Sequence, residues 1–201
     1  MDRRILRYAA WRVACVLCLA AGARTAAARP PVVDVPFVLY RDADDPDTPP
    51  YTTTGWMGNL NAVGLDPECT DDPYSGETCI EATYRSDVSW GGVAWLDPAD
   101  NWGRFDGGYD LGNARELTFW ARGRNGGELV EFKIGIKQPG SAEFKDTALV
   151  TTGKVKLTTK WRKYRVVFGD VDLSRVISGF VWVVEGQGEP ITFYLDDIQY
   201  E

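Results

Sequence analysis

Tryptophan and short polar side chains concentrate in the turn-rich region between residues 56 and 113. The densest run is Asn101 to Gly108 (NWGRFDGG). An indole ring can stack on the flat C–H face of a sugar while nearby polar groups bind its hydroxyls. The pattern predicts a sugar platform from six residues: Trp56, Trp90, Asn101, Trp102, Arg104 and Asp106. The alternative is that the four tryptophans of this region, which include Trp95, are buried in the core or close the ends of the domain.

Catalytic chemistry finds little support in the sequence. The chain has no histidine, which excludes Ser-His-Asp and Cys-His arrangements and the common imidazole base. Two carboxylates could still cleave a glycosidic bond. Glu128 and Glu131, however, are three residues apart in a predicted strand, so their side chains should point to opposite faces. We therefore expect no enzymatic activity.

The N-terminal residues have the pattern of an export signal. Positive charge comes from four arginines: Arg3, Arg4, Arg7 and Arg12. A nine-residue apolar run follows, far short of the roughly 20 residues that span a membrane. Small residues up to Ala28 then predict a signal peptide over residues 1–28, cleaved after Ala28. A retained anchor, a twin-arginine signal and a lipoprotein cysteine at Cys18 fit less well. We expect a secreted, extracellular protein; the cell surface and the periplasm fit the same signal.

Removal of that segment leaves two cysteines, Cys69 and Cys79. Exported proteins fold where disulfides persist, so the two thiols are predicted to pair. The closed loop is short, and the bond should contribute roughly 2–3 kcal/mol by restricting the unfolded chain. Two cysteines without histidine do not make an ordinary zinc site.

The formal net charge of the whole chain is −7, and loss of the arginine-rich segment makes it more negative. A negative protein repels phosphate backbones and anionic lipid surfaces. We therefore expect neither nucleic acid nor a membrane as a partner.

Most of the remaining chain alternates apolar and polar residues with a period of two. This pattern predicts half-buried strands over residues 35–41, 79–85, 92–96, 116–122, 129–136, 161–168, 180–185 and 191–200. One helical turn is predicted near Asp172–Ile177, where Asp172 could cap it. Long helices are missing, which argues against an α/β fold. The prediction is a short linker over residues 29–36 and one all-β domain over 37–201, a two-sheet antiparallel sandwich.

The second half of the chain carries four segments with a common pattern: residues 114–122 (ARELTFWAR), 161–168 (WRKYRVVF), 172–176 (DLSRV) and 193–198 (FYLDDI). It resembles the jelly-roll carbohydrate-binding modules of the galactose-binding-like superfamily. That resemblance implies a jelly-roll β-sandwich, often with a buried structural calcium. Many members bind polysaccharides, and others mediate only protein contacts.

Acidic residues follow the first predicted strand and lie in the last one. In the fold that the resemblance implies, the first and last strands are often neighbours. Calcium takes six to eight oxygen ligands. We therefore predict a structural Ca²⁺ site from Asp42, Asp44, Asp196 and Asp197, with a solvated acidic loop as the alternative.

The sequence favours a secreted, non-catalytic module that binds a polysaccharide or a cell-surface glycan. An extracellular structural or adhesive subunit, which assembles with itself or with another extracellular protein, is the second hypothesis. A carboxylate-based glycan hydrolase or lyase is the third. An exposed row of these four tryptophans would favour glycan or partner binding, whereas burial of all four would remove the argument for a ligand.

Overall fold

A computed structural model describes residues 28–46 and 51–201. The predicted signal peptide lies almost wholly outside these residues. The described part contains eleven strands and one short 3₁₀ helix, Leu60–Ala62. None of its helices is long and apolar enough to cross a membrane. The strands are β1 Phe37–Tyr40, β2 Thr52–Gly58, β3 Val63–Cys69, β4 Cys79–Tyr84, β5 Trp90–Leu96, β6 Glu116–Gly123, β7 Leu129–Ile134, β8 Val150–Lys156, β9 Arg162–Val167, β10 Ser178–Glu185 and β11 Ile191–Tyr200.

The strands form two antiparallel sheets that pack face to face. One sheet has six strands in the order β3-β4-β11-β6-β9, and β1 also pairs with β11. The other has five strands in the order β2-β5-β10-β7-β8. This arrangement confirms the predicted all-β, two-sheet jelly-roll sandwich.

Large aromatic side chains fill the space between the sheets. Trp182 of β10 meets Phe193 of β11 edge to face, with ring centroids 5.2 Å apart. Phe180 of β10 meets Phe119 of β6 in the same way at 5.3 Å. All four side chains have no solvent exposure. Edge-to-face pairs add to the burial of apolar area, so these contacts join the two sheets strongly.

The predicted helical turn at Asp172–Ile177 is wrong. The Asp172 carboxylate accepts a hydrogen bond from the Ser174 N–H at 2.9 Å, which closes a local turn. Val176 then forms an isolated antiparallel bridge with Tyr109, so its backbone is extended. Aspartate at this position therefore shapes a loop instead of capping a helix.

The segment predicted as a linker is packed on the domain. The Val33 N–H donates to the Asp110 carbonyl at 3.1 Å, and the Asp110 N–H donates to Pro31 at 2.9 Å. Val33 is also part of the core, with 7% of its surface exposed. Residues 31–33 are therefore tied to the sandwich by backbone hydrogen bonds.

The loop between β3 and β4, residues 70–78, covers part of the outer face of the six-stranded sheet. Tyr74 stacks on Trp120 of β6 with ring centroids 3.7 Å apart. The Trp161 Nε1–H donates to the Asp72 carbonyl at 2.9 Å. Aromatic stacking and side-chain hydrogen bonds therefore hold this loop against the sheet.

Arg122 of β6 holds the same loop through its charge. Its Nη2 donates to the Asp71 carbonyl at 2.6 Å, and its guanidinium lies 3.8 Å from the ring centroid of Tyr194. A cation over an aromatic face is most stabilising where water is excluded, and Arg122 is buried. The loop therefore stays closed over Tyr194.

Cys69 and Cys79 lie directly opposite each other on β3 and β4, and both are buried. Their thiols are free in this structure. Opposite residues of an antiparallel pair have Cα atoms about 4.5–5.5 Å apart, which is within the range that a disulfide bridges. The disulfide therefore stays a prediction, and the register is compatible with it.

We expect the exported protein to contain the Cys69–Cys79 bond. Mass spectrometry without reductant should give a mass two hydrogens below that of the reduced protein. Reduction should lower the free energy of unfolding by roughly 2–3 kcal/mol, because the unfolded chain regains freedom. Quantitative alkylation of both thiols in the unreduced, denatured protein would contradict this prediction.

Candidate functional site

A groove of about 640 Å³ lies on the outer face of the five-stranded sheet. Strands β2, β5, β10, β7 and β8 contribute to it, together with the loops that follow β5 and β7. Its walls and floor combine apolar, aromatic and charged side chains. The principal lining residues are Met57, Trp90, Trp102, Glu131, Lys133, Ile136, Lys137, Leu149, Thr151, Val183 and Glu185.

The floor is low because the outward positions of β5 and β10 hold small residues. Gly92 pairs with Val183, and Ala94 pairs with Val181. A Cβ atom on Gly92 would lie 2.3 Å from the Trp182 carbonyl oxygen, so glycine is required there. Ala94 and Val181 are themselves buried beneath Met57, Ile136 and Val183, whose side chains form the apolar floor that a ligand would meet.

Trp90 forms one wall at the start of β5. Its side chain is exposed, with 45% of the residue surface accessible. Its carbonyl accepts the Asn59 N–H at 2.9 Å, which fixes the backbone from the β2 side. Gly58 makes this approach possible: its φ is +70°, and a Cβ there would lie 2.3 Å from the Trp90 carbonyl oxygen. The ring is therefore accessible while its backbone is anchored.

Trp102 forms a second wall on the loop after β5, where it packs half-buried against the apolar cluster of Ala94, Leu96 and Val181. Asn101 sets the shape of this loop. Its fully buried amide donates to Asp97 and Phe105 carbonyls at 3.2 and 2.9 Å, and its oxygen accepts the N–H groups of Gly103 and Phe105 at 3.0 and 3.1 Å. All of the amide's principal hydrogen-bonding capacity is used inside the loop. Asn101 is therefore a structural residue that positions Trp102.

The loop after β7 forms the third wall, and Asp146 holds it. Asp146 Oδ2 accepts the Ile136 N–H at 2.8 Å and the Gln138 Nε2–H at 2.6 Å. Asp146 Oδ1 accepts the backbone N–H groups of Ile177 and Ser178, at the start of β10. One carboxylate thus joins the end of β7 to the start of β10. Charge-assisted hydrogen bonds of this kind are about twice as strong as neutral ones.

Charged side chains along β7, β8 and β10 give the groove a polar rim. Glu131 lies 3.4 Å from the Lys133 ammonium and accepts the Thr151 hydroxyl at 2.7 Å. Glu185 pairs with Lys154 at 2.7 Å. Sequence reasoning missed Lys133, Lys137 and Glu185. The alternation of LVEFKI could have indicated the outward position of Lys133.

The structure brings together two of the six residues predicted as a sugar platform, Trp90 and Trp102. Trp56 packs against the core on the inner side of the sheet, because its position in β2 is one residue out of phase with Met57. Arg104 contacts Phe105, and Asp106 pairs with Arg175, so neither lines the groove. With Asn101 buried, four of the six predicted residues lie outside the groove surface.

The residues predicted to bind calcium lie around the loop of residues 70–78. Asp42 Oδ1 accepts the N–H groups of Glu77 and Thr78 at 2.8 and 2.9 Å. Asp196 is fully buried and accepts the N–H groups of Tyr74 and Ser75 at 2.8 and 3.2 Å. Burial raises the pKa of Asp196 to about 6. These oxygens are engaged by backbone donors.

Asp44 is exposed, and Asp197 accepts the Ser75 hydroxyl at 3.0 Å. Within residues 28–46 and 51–201, no group of three or more acidic, Cys or His side chains is placed to hold a metal ion. The acidic residues present therefore do not fit the calcium site that the resemblance implies, and they act as hydrogen-bond acceptors for the loop.

Similar folds occur among solved structures. A family 30 module of a cellulosomal cellulase from Clostridium thermocellum aligns with a TM-score of 0.54 and 17% identity over 84% of this chain and 98% of that chain. The two chains share the two-sheet jelly-roll β-sandwich fold. A family 11 module from the same organism, solved with a β-1,3-1,4-mixed-linked tetrasaccharide, gives a TM-score of 0.51 and 11% identity over 73% of this chain and 86% of that one.

A third structure, from work on the promiscuous specificity of carbohydrate-binding modules of the β-sandwich superfamily, gives a TM-score of 0.52 and 14% identity. It covers 85% of this chain and 63% of that chain. No protein-family model matches the sequence, and no curated protein matches it either. At these identities the likeness concerns the fold, and it confirms the fold that the resemblance implied.

We expect a chelator to leave the melting temperature unchanged, because backbone N–H groups already bind Asp42 and Asp196 and the Ser75 hydroxyl binds Asp197. Thermal unfolding should be recorded with calcium and with excess EDTA at equal ionic strength. A ligand at a hundredfold above its dissociation constant adds about 2.7 kcal/mol to stability. A fall of several degrees in EDTA would therefore show that a cation binds, as predicted from the sequence.

Trp90 and Trp95 lie on the same strand but face opposite sides, so they form a matched pair. Trp95 is 2% exposed, and Trp95→Ala should cost about 3–5 kcal/mol through the cavity it leaves. Trp90→Ala should cost less than about 1 kcal/mol, since surface substitutions change stability little. Urea unfolding of both variants measures the difference. Equal losses would mean that Trp90 belongs to the core.

Proposed function

We propose that the protein is a secreted, non-catalytic module that binds a polysaccharide chain in the groove of the five-stranded sheet. The observation that carries this proposal is the placement of Trp90 and Trp102 along one groove with a low apolar floor. Pyranose rings need an apolar face for stacking and polar groups for their hydroxyls. This groove offers both.

The register of the sheet supports a chain that lies across the strands. Residues that face outward at the same level form a row from β2 to β8. That row is Met57, Gly92, Val183, Glu131 and Lys154. Strands lie about 4.8 Å apart, so five of them span roughly 19 Å, the length of a short oligosaccharide. A linear sugar chain is therefore the shape of ligand that fits.

The groove gives no support to hydrolysis. Its two carboxylates, Glu131 and Glu185, are both held by lysine ammonium groups. A glycosidase needs one carboxyl group that donates a proton to the leaving oxygen. A lysine ammonium can only donate, so each of these carboxylates acts as an acceptor. Binding without cleavage is the function that this arrangement favours.

The ligand class follows from chemistry and from the fold together. A fold shared with family 11 and family 30 modules supports a polysaccharide as the partner. The arginine-rich N-terminal pattern supports export, which would place the protein where extracellular polysaccharides occur. We propose an extracellular location, and the cell surface and the periplasm fit the same N-terminal pattern.

Affinity electrophoresis in gels that contain polysaccharides tests the proposal. The unsubstituted protein should be retarded by at least one polysaccharide. Trp90→Ala and Trp102→Ala should each weaken binding at least tenfold, since stacked area and its desolvation are lost, while thermal melting confirms that the variants fold. Tyr74→Ala provides the control, because Tyr74 is an exposed aromatic in the loop that covers the opposite sheet.

Two outcomes would contradict the proposal. One is the absence of binding to a broad set of polysaccharides. The other is binding that survives Trp90→Ala and Trp102→Ala but is lost in Tyr74→Ala, which would place the site on the opposite sheet.

A further inference from the structure

Positive charge is strongly segregated along the chain. All seven lysines lie between residues 133 and 163. With Arg162, this stretch has eight basic residues against Glu143 and Asp146, a formal charge of +6 in a chain whose net charge is −7. The overall acidity therefore conceals one basic region.

The fold places four of these basic residues along one side of the groove, whereas Arg162 and Lys163 lie on β9 in the other sheet. Lys133 lies on β7, and Lys154 and Lys156 lie on β8, the edge strand of the five-stranded sheet. Lys133 and Lys137 line the groove itself. The opposite side is different, because β2 (TTTGWMG) and β5 (WGGVAWL) contain no charged residue. The groove thus has an uncharged side and a charged side, where Lys133 and Lys137 lie beside Glu131 and Glu185.

Acidic neighbours balance only part of this charge. Lys133 is paired with Glu131, and Lys154 is paired with Glu185. Lys137 and Lys156 have no carboxylate within 4 Å among the residues that the structure describes. The β7–β8 side therefore keeps an excess of positive charge on an otherwise acidic protein.

The register leads from the floor of the groove to these lysines. Val181 is opposite Lys133, and Lys133 is opposite Thr151. In the next outward-facing row, Val183 is opposite Glu131, and Glu131 is opposite Lys154. A chain that crosses from β5 toward β8 along the first row passes over Lys133 and leaves the sheet beside Thr151. One that crosses along the second row passes over Glu131 and leaves beside Lys154.

We propose that the polysaccharide bound in this groove is anionic, with carboxylate or sulfate groups that pair with Lys133, Lys137 and Lys154. This inference rests on the proposed function and names the ligand class. Sugar rings would stack at Trp90 and Trp102, and the acidic substituents would face the lysine side. Lysines on β8 also protect an edge strand from pairing with other chains. Edge protection alone does not account for Lys133, which is on an inner strand, or for Lys137 in the groove.

The test compares three polysaccharides: polygalacturonate for carboxylate, dextran sulfate for sulfate, and mixed-linkage β-glucan as the neutral reference. We expect polygalacturonate or dextran sulfate to bind at least tenfold more tightly than the neutral glucan at 50 mM NaCl. Binding should weaken at least fivefold at 300 mM NaCl, since salt screens exposed charges. The stronger of the two polyanions identifies the acidic group.

Variants link the charge to the groove. Lys133→Gln combined with Lys137→Gln should weaken polyanion binding five- to twentyfold. Arg115→Gln is the control for loss of a surface cation away from the groove, because Arg115 is exposed just before β6 in the other sheet, and binding should stay within twofold of the unsubstituted protein. Trp90→Ala should also weaken polyanion binding at least tenfold, which unspecific ion exchange would not show.

The outcomes separate the two proposals. Tight, salt-independent binding of the neutral glucan without binding of either polyanion would overturn this inference and leave the proposed function intact. Equal losses in the lysine variant and in Arg115→Gln, or full polyanion binding by Trp90→Ala, would also overturn it. Equally tight binding of a DNA duplex would overturn it as well, because it would show an unspecific polyanion surface. Absence of binding to every polysaccharide would overturn both proposals.

Discussion

The alternation of side chains along β5 and β10 is the constraint on which the site depends. These two neighbouring strands must supply the core on one face, with Trp95 and Trp182, and the floor of the groove on the other. Because successive residues point to opposite faces, large inward residues alternate with small outward ones. Gly92 and Ala94 therefore follow from the same register that buries the aromatic core. A one-residue slip would place aromatic rings in the groove and glycine in the core.

The loops determine which outer face of the sandwich is exposed to a ligand. On the six-stranded sheet, residues 70–78 lie over Tyr194 and are held by Arg122 and Trp161. On the five-stranded sheet, Asn101 holds the loop after β5 and Asp146 holds the loop after β7. Both side chains form hydrogen bonds with backbone groups. On both sheets, then, polar side chains that bind backbone groups hold the loops in place, and on the five-stranded sheet these loops form walls beside the groove.

Strands with a clear period of two were predictable from the sequence, and so was the two-sheet fold. The three strands missed, β2, β3 and β8, lie at sheet edges, where Pro67 in β3 and Gly153 in β8 weaken the pattern. Residue type alone predicted Trp90 and Trp102. It could not show that Trp56 faces the core, because that depends on the register of β2. Nor could it show that Asn101 is structural, because its hydrogen-bond partners come together only in the folded loop. The net charge gave no indication of the lysines beside the groove, because it sums the charges of the whole chain.

The central claim is that ligand binds on the five-stranded sheet, and the indole N–H signals of the tryptophans test it most directly. Trp90 and Trp102 lie on that face, whereas Trp120 and Trp161 lie on the opposite one. In a ¹⁵N-labelled protein titrated with an oligosaccharide of the polysaccharide it binds, the account predicts that the Trp90 and Trp102 signals move while those of Trp120 and Trp161 stay fixed. Movement of the Trp120 and Trp161 signals alone would contradict it.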